Sequence, residues 1–389
     1  MISKITLENF FSFREPTTIE LNPDINVLIG INGSGKSNFL KAIELLRESF
    51  IGNDGFEHIF LQDWGGFNAV VNCNQEKKDY IRLTFEFDKN VIKEVIQKQG
   101  FQGFQFPHNP IYEITIFRSG ATAYYLKEKL YSKSTNENKK DFTYMEMDNA
   151  QGIISTRDKE KISIQHYPQK TQEIPFKSTE LVLKQISDPN RFYPLYTLKT
   201  ALEDFSVYHS FNTALHSPIR QPATSSSEKK LLPSGQNLVT TLSKIKNNHS
   251  LDYDEIEKAI KKINPSLKDI DFDPIGTKLS LVLRETSLTK SIPIEHISDG
   301  TLRYLLLLAV LFNPERGSLV CIDEPETNLH PDMINTIAEA MKQASRTTQL
   351  IIATHSPLLL NSFEIDDILV FEKTAQNETT VSTNLNERF

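Results

Sequence analysis

The sequence predicts an α/β protein whose core is a mostly parallel sheet, with an antiparallel β subdomain and a helical middle subdomain attached to it. Three observations predict this. Short, continuously apolar runs at Asn26 to Ile29, Ser318 to Ile322 and Gln349 to Ala353 stand among helical stretches, as strands buried on both faces do. From Phe67 to about Pro168 the chain alternates with period two, including Tyr80 to Phe87 and Ile111 to Phe117, which reads as antiparallel hairpins. From Ser178 to Ile263 the apolar spacing is mostly helical, broken by a Pro/Ser stretch from Ser217 to Ser234.

The chain opens as strand, turn, strand: Ile2, Ile5 and Leu7 are apolar, a second run covers Thr17 to Leu21, and Pro16 and Asn22-Pro23-Asp24 punctuate them. The buried-type strand Asn26 to Ile29 leads into a glycine-rich turn and an amphipathic helix from about Lys36 to Phe50. Hairpins follow, separated by polar loops such as Ser132 to Asp141. After the helical middle, Asp269 to Ile294 returns to strands. From Ser298 the order is helix, strand, helix, strand, closing on an edge segment near Ile368 to Phe371. We therefore expect the first part of the core at 1–66, a β insertion at 67–177, the helical middle at 178–264 and the second part of the core at 265–389. No repeat and no coiled-coil heptad run is present.

With 389 residues, 39% hydrophobic and 24% charged, the chain has the profile of an ordinary globular protein, which excludes disordered and fibrous classes. The longest apolar run, Tyr304 to Phe312, is far short of the roughly 20 residues of a spanning helix, and the first residues lack the pattern of a signal peptide. A cytoplasmic protein with no membrane partner is expected. Cys73 and Cys321 alone cannot build a disulfide framework or a four-cysteine zinc site, and both are read as reduced. A net charge of -7 gives no global pull towards nucleic acid, although basic clusters such as Lys229-Lys230 and Lys261-Lys262 leave DNA as a possible partner.

The chemistry is carried by four places. Gly30-Ile31-Asn32-Gly33-Ser34-Gly35-Lys36-Ser37 fits G-x-x-x-x-G-K-[ST] at every fixed position, after an expected strand and at the start of an expected helix. That spacing lets backbone N–H groups curl round a β-phosphate, with Lys36 reaching the β- and γ-phosphates and Ser37 placing a hydroxyl on Mg²⁺. Asn38, which follows, joins these as a nucleotide-contact candidate. The chain has only 15 glycines, yet three fall within these eight positions. Leu319 to Glu324 is an apolar strand ending in two acids: Asp323 would hold Mg²⁺ and Glu324 would polarise the attacking water. The plainer alternative is a helix cap followed by Pro325. Gln349 to Ala353 is a second such strand, and His355 beyond it is placed to sense a γ-phosphate. Ser298-Asp299-Gly300-Thr301 opens an apolar helix; it is either an ordinary cap or a second phosphate-binding helix start.

At these four places the sequence resembles the ATP-binding-cassette class of ATPase heads, specifically the SMC, RecF and OLD group. Gly30 to Ser37 resembles its Walker A, Leu319 to Glu324 its Walker B, Ser298 to Thr301 its signature motif and His355 its switch histidine, while Asn9 to Arg14 is similar to the amino-terminal turn of the group. Phe211-Asn212-Thr213, Ser217-Pro218-Ile219-Arg220 and Leu232 to Leu238 resemble the middle region of stand-alone bacterial ATPases of this type. The resemblance implies an ABC-type P-loop ATPase head using ATP and Mg²⁺, with Lys36, Glu324 and His355 as catalytic groups. It also implies a homodimer or higher even oligomer in which Ser298 to Thr301 of one protomer meets the nucleotide of the other. Ser37, Asp323 and Gln62 are the candidate Mg²⁺ residues, Gln62 standing for the family's glutamine loop. The sequence departs from the pattern at Asp299, where the signature often has a glycine; its charge faces the phosphate unless the side chain turns away. His330 stands where many relatives have aspartate. No long coiled coil interrupts the head, and the short stretch after His355 leads us to expect no nuclease within it. We therefore expect an ATPase that gates a separately encoded effector, a nuclease or toxin, in prokaryotic defence or DNA transactions. The alternatives are a RecF-like DNA-binding clamp loader and a nucleotide-dependent scaffold with slow hydrolysis.

Overall fold

A computed structural model of the chain describes residues 1–51, 55–73, 78–120, 122–134, 140–158, 161–167 and 176–382. Residues 135–139 of the loop expected at Ser132 to Asp141 lie outside the described residues. Contacts divide the chain into two compact units, one of Met1–Pro23, Gly30–Phe205 and Leu369–Phe389, the other of Asp24–Ile29 and Ser206–Ile368.

The first unit is built on an eight-stranded antiparallel sheet, in the spatial order Thr17–Glu20, Ile2–Glu8, Tyr80–Phe87, Pro110–Ser119, Ala123–Ser132, Phe142–Asp148, Gln151–Asp158, Lys161–Tyr167. Its pleat decides its faces. In Tyr80–Phe87, Ile81, Leu83, Phe85 and Phe87 are fully buried while Tyr80, Arg82, Thr84 and Glu86 take the other face. At about 1.5–3 kcal/mol for each large apolar side chain, a one-residue slip of this strand would forfeit most of that burial. The stretch read as hairpins also holds a helix, Lys89–Lys98. Asp88 caps it, accepting from the N–H groups of Asn90 (2.7 Å) and Val91 (3.4 Å), and Ile92, Val95 and Ile96 bury one stripe. A strand would put Ile92 and Val95 on opposite faces, so the helix wins.

Glu128, on the strand Ala123–Ser132, is fully buried. It accepts from Tyr112 Oη (2.6 Å) and from the N–H groups of Val182 (2.6 Å) and Leu183 (3.2 Å) at the start of a short helix. Burial outweighs these bonds and pushes its carboxyl up from 4.5 to about 7. The folded value lies above the unfolded one, so the folded chain holds the proton longer, and stability falls as pH rises from about 4.5 towards about 7. The loss amounts to about 3 kcal/mol when complete. Glu128→Gln is expected to flatten the dependence of the thermal midpoint on pH across that window; an unchanged slope would remove Glu128 as its source.

The second unit holds a parallel sheet in which Leu319–Asp323 pairs with Gln349–Ala353, which pairs with Ile25–Ile29; Phe205–Tyr208 neighbours Leu319–Asp323 on the outside. In register, Asp323 stands opposite Ala353 and Ala353 opposite Leu28, so all three strands end at one edge. Helix Asp299–Leu311 is buried at every position from Leu302 to Leu311. That is why its apolar run is continuous rather than striped. Helices Leu238–Asn248, Ser250–Ile263 and Pro331–Ala344 and the small antiparallel sheet of Leu267–Ile275 with Lys278–Glu285 contribute to the same core.

Candidate active site

The parallel strand Ile25–Ile29 runs directly into Gly30, and the turn that follows needs its glycines. Gly30, Gly33 and Gly35 have φ of 151°, 76° and 107°. A Cβ on Gly30 would lie 2.2 Å from the Phe371 carbonyl oxygen, and one on Gly35 would lie 2.2 Å from Thr379 Oγ1. Gly35 opens helix Lys36–Glu48, whose first turn holds no acidic residue. Lys36 is 5% exposed and folds its ammonium back over the turn, donating to the carbonyls of Gly30 (2.8 Å) and Ile31 (3.3 Å). Ser34 is fully buried and its Oγ has no hydrogen-bond partner among the described residues. Ile31, Asn32, Gly33 and Ser37 are exposed at the mouth of the turn. A strained glycine turn, an unpaired buried hydroxyl, an ammonium above it and a helix start without acids form a cradle that fits phosphate.

The cradle is held from behind. Thr379 Oγ1 donates to the Ser34 carbonyl (2.8 Å) and lies 2.6 Å from Ser12 Oγ, while the Thr379 N–H donates to the Ser12 carbonyl (2.8 Å). Asn38 Nδ2 donates to the same Ser12 hydroxyl (2.9 Å). Lys373 Nζ stands 3.8 Å from where a Cβ on Gly33 would be, a second ammonium beside the turn.

In the second unit, Asp323 ends its strand half-buried, and Glu324 follows with φ 47°, a left-handed conformation that costs a side-chain-bearing residue about 1–2 kcal/mol. Three bonds hold it there: its N–H donates to the Ala353 carbonyl (2.8 Å), and its carbonyl accepts from Arg303 Nη2 (3.2 Å) and from the Thr327 N–H (3.2 Å). The turn aims the Glu324 carboxylate at the end of the neighbouring strand, where His355 Nε2 lies 3.9 Å from Oε1. Thr327 Oγ1 donates to the other oxygen (3.3 Å). Neither acid caps the next helix. His330 does so, accepting from the Asp332 N–H (3.4 Å), which gives that histidine a local role.

Ser298 caps helix Asp299–Leu311, its Oγ accepting from the Thr301 N–H (3.2 Å), and Gly300 packs against the segment after Glu324: a Cβ there would lie 3.0 Å from the Asn328 carbonyl. Asp299 has turned aside, its Oδ1 held 2.5 Å from Arg220 Nη2. Burial pulls the Arg303 guanidinium below its ordinary value, opposed by the charges of Glu324 and Glu326. Gln62 is exposed within the irregular helical turn His58–Asp63 of the first unit.

A family model described as "AAA domain, putative AbiEii toxin, Type IV TA system" matches residues 25–361. The chain belongs to this family. Relatives of this AAA-domain member fall into two kinds. The retron Vc95 probable ATPase of Vibrio cholerae is 22% identical over 96% of this chain and 73% of its own length. A structural maintenance of chromosomes protein 3 homolog of Plasmodium falciparum is 40% identical, but only over 22% of this chain and 6% of its own length. Among solved structures, an SMC head bound to the C-terminal winged-helix domain of ScpA superposes with a TM-score of 0.58 at 14% identity, covering 100% of this chain and 99% of that one. The fold is thus that of an SMC-type head.

Three further side chains of this AAA-domain protein stand beside these residues and escape a reading of motifs. Glu326 Oε1 accepts from Thr354 Oγ1 (2.7 Å) and from the His355 N–H (2.8 Å), fixing the backbone that carries the histidine. His209, just after Phe205–Tyr208, brings Nδ1 within 3.7 Å of Asp323 Oδ2. Arg303 supports the left-handed turn at Glu324. Only the position of Glu326, two residues after the acidic pair, carried a signal in sequence.

Proposed function

We propose that this chain binds and hydrolyses Mg²⁺-ATP, dimerises head to tail on ATP, and gates a separately encoded effector, a nuclease or toxin. The observation that carries the reading is the Glu324 carboxylate facing His355 across the ends of two parallel strands of the second unit, and the phosphate cradle of the first unit supports it. Lys36 and the N–H groups of Gly33 to Ser37 bind the phosphates of the nucleotide; Lys36 then exchanges its bonds to the Gly30 and Ile31 carbonyls for phosphate oxygens. Ser37, Asp323 and Gln62 are the residues that would hold Mg²⁺, and the bound ion supplies charge neutralisation on the phosphates. Glu324 orients the attacking water and accepts its proton, while His355 donates a hydrogen bond to the γ-phosphate. Ser298 and Gly300 present a helix start to the nucleotide of the partner protomer.

The effector part draws support from the family description, which names a putative AbiEii toxin and a Type IV TA system, and from the similarity to a retron probable ATPase over most of both chains. Its test is size-exclusion chromatography with light scattering on wild type and Glu324→Gln, with and without Mg²⁺-ATP, adding a DNA duplex and the purified neighbour-encoded protein in turn. ATP-driven dimers that retain only the protein support the proposal. Dimers that retain the DNA and not the protein replace it with the clamp-loader reading.

Glu326 gives an independent check on the histidine. Glu326→Ala removes the acceptor of the His355 N–H and of the neighbouring Thr354 hydroxyl, and is expected to lower kcat about 10- to 100-fold with KM for ATP changed far less. Steady-state kinetics decides it: a rise in KM at constant kcat would take His355 out of the chemical step.

A further inference from the structure

We infer that Arg220 is a positioning residue for the signature motif: it draws the Asp299 carboxylate off the start of helix Asp299–Leu311 so that this start can receive a phosphate. The guanidinium is almost wholly buried, at 3% exposure, and both of its terminal nitrogens bond to this turn. Nε donates to the Thr213 carbonyl (2.8 Å); Nη1 donates to the carbonyls of Ile294 (3.0 Å), Glu295 (3.3 Å) and Ile297 (2.6 Å), the residues leading into Ser298; Nη2 meets Asp299 Oδ1.

The need for it follows from competition between anions. An aspartate at the first position of a helix is attracted to the same unpaired N–H groups that a phosphate would use. Left to itself, the Asp299 carboxylate would occupy those donors and repel an incoming γ-phosphate. The side chain is 63% exposed, and among the described residues its side-chain polar partner is Arg220. Arg220 supplies that pair from a buried site where its geometry is set by four backbone carbonyls, and a planar fork does this as an ammonium cannot. Asp299 and Arg220 thus act as a unit that replaces the glycine of the usual signature.

The inference rests on the head-to-tail reading proposed above, and the experiment separates the two. In the full-length Glu324→Gln background, the Mg²⁺-ATP-dependent dimer dissociation constant is measured for Arg220→Met, Asp299→Asn and the double variant, beside binding of a fluorescent ATP analogue to the dilute monomer. Arg220→Met is expected to weaken dimerisation by about 30-fold or more while monomer binding of the analogue stays within about twofold; adding Asp299→Asn recovers at least about tenfold of the loss. That recovery marks positioning, because an arginine needed only to hold backbone carbonyls would be missed equally in both backgrounds. Should Arg220→Met fail to fold, Arg220→Lys is read in the same way, with a loss of at least about threefold and recovery by Asp299→Asn. Undiminished dimerisation by the arginine variants, or a loss that Asp299→Asn does not relieve, overturns the inference alone. A Glu324→Gln protein that stays monomeric with ATP overturns the head-to-tail reading and this inference with it.

Discussion

The Glu324→Gln protein is expected to bind Mg²⁺-ATP, to turn it over at least about a hundredfold more slowly than wild type, and to accumulate as a dimer. Glutamine matches the shape of glutamate and leaves in place the three backbone bonds that hold residue 324 left-handed, to Ala353 and from Arg303 and the Thr327 N–H. It can still accept from Thr327. What it lacks is the negative charge and the basicity that take a proton from water, so binding and hydrolysis separate cleanly in this one variant. Single-turnover hydrolysis beside light scattering gives both readings from one sample. A variant that hydrolyses near the wild-type rate removes Glu324 from the chemistry; one that neither hydrolyses nor dimerises points to damage at the strand edge.

Lys36→Ala is expected to abolish ATP-driven dimerisation by lowering nucleotide affinity about a hundredfold or more, since a charge-assisted contact to two phosphates has no substitute in the turn. The fold should survive: the ammonium donates to the carbonyls of Gly30 and Ile31 at the mouth of the turn, and such changes typically shift a domain's midpoint by a few degrees. Isothermal titration with Mg²⁺-ATP, paired with a thermal melt, checks both halves. Dimers of Lys36→Ala without nucleotide would favour a scaffold in which hydrolysis is incidental.

These predictions could be framed because the motifs are local. A glycine turn after an apolar strand, acids after another and a histidine after a third are legible in single stretches, and the parallel register that brings Asp323 level with Ala353 follows from burial on both faces. Helix Lys89–Lys98 was legible too, in the cap at Asp88 and the spacing of Ile92, Val95 and Ile96, but it lies between strong strand patterns that mask a ten-residue segment. Residues that act across the fold left no such mark. Arg220 is 79 positions from Asp299, and Thr354 is 28 from Glu326; no periodicity or spacing rule connects them. The turn of Asp299 away from the helix start was invisible for the same reason, being settled by a guanidinium that only the tertiary structure delivers.

The bracing of the phosphate cradle by Thr379 has a temporal side. Ser34 and its brace are separated by 345 positions, and Ser12 and Thr379 by 367. On a ribosome adding about 5–20 residues per second, the Walker A sequence is finished tens of seconds before the segment that shapes it exists. During that interval the nascent chain carries the letters of a nucleotide site without its mould. The turn at Ser34 therefore reaches its braced form only after Thr379 has been made.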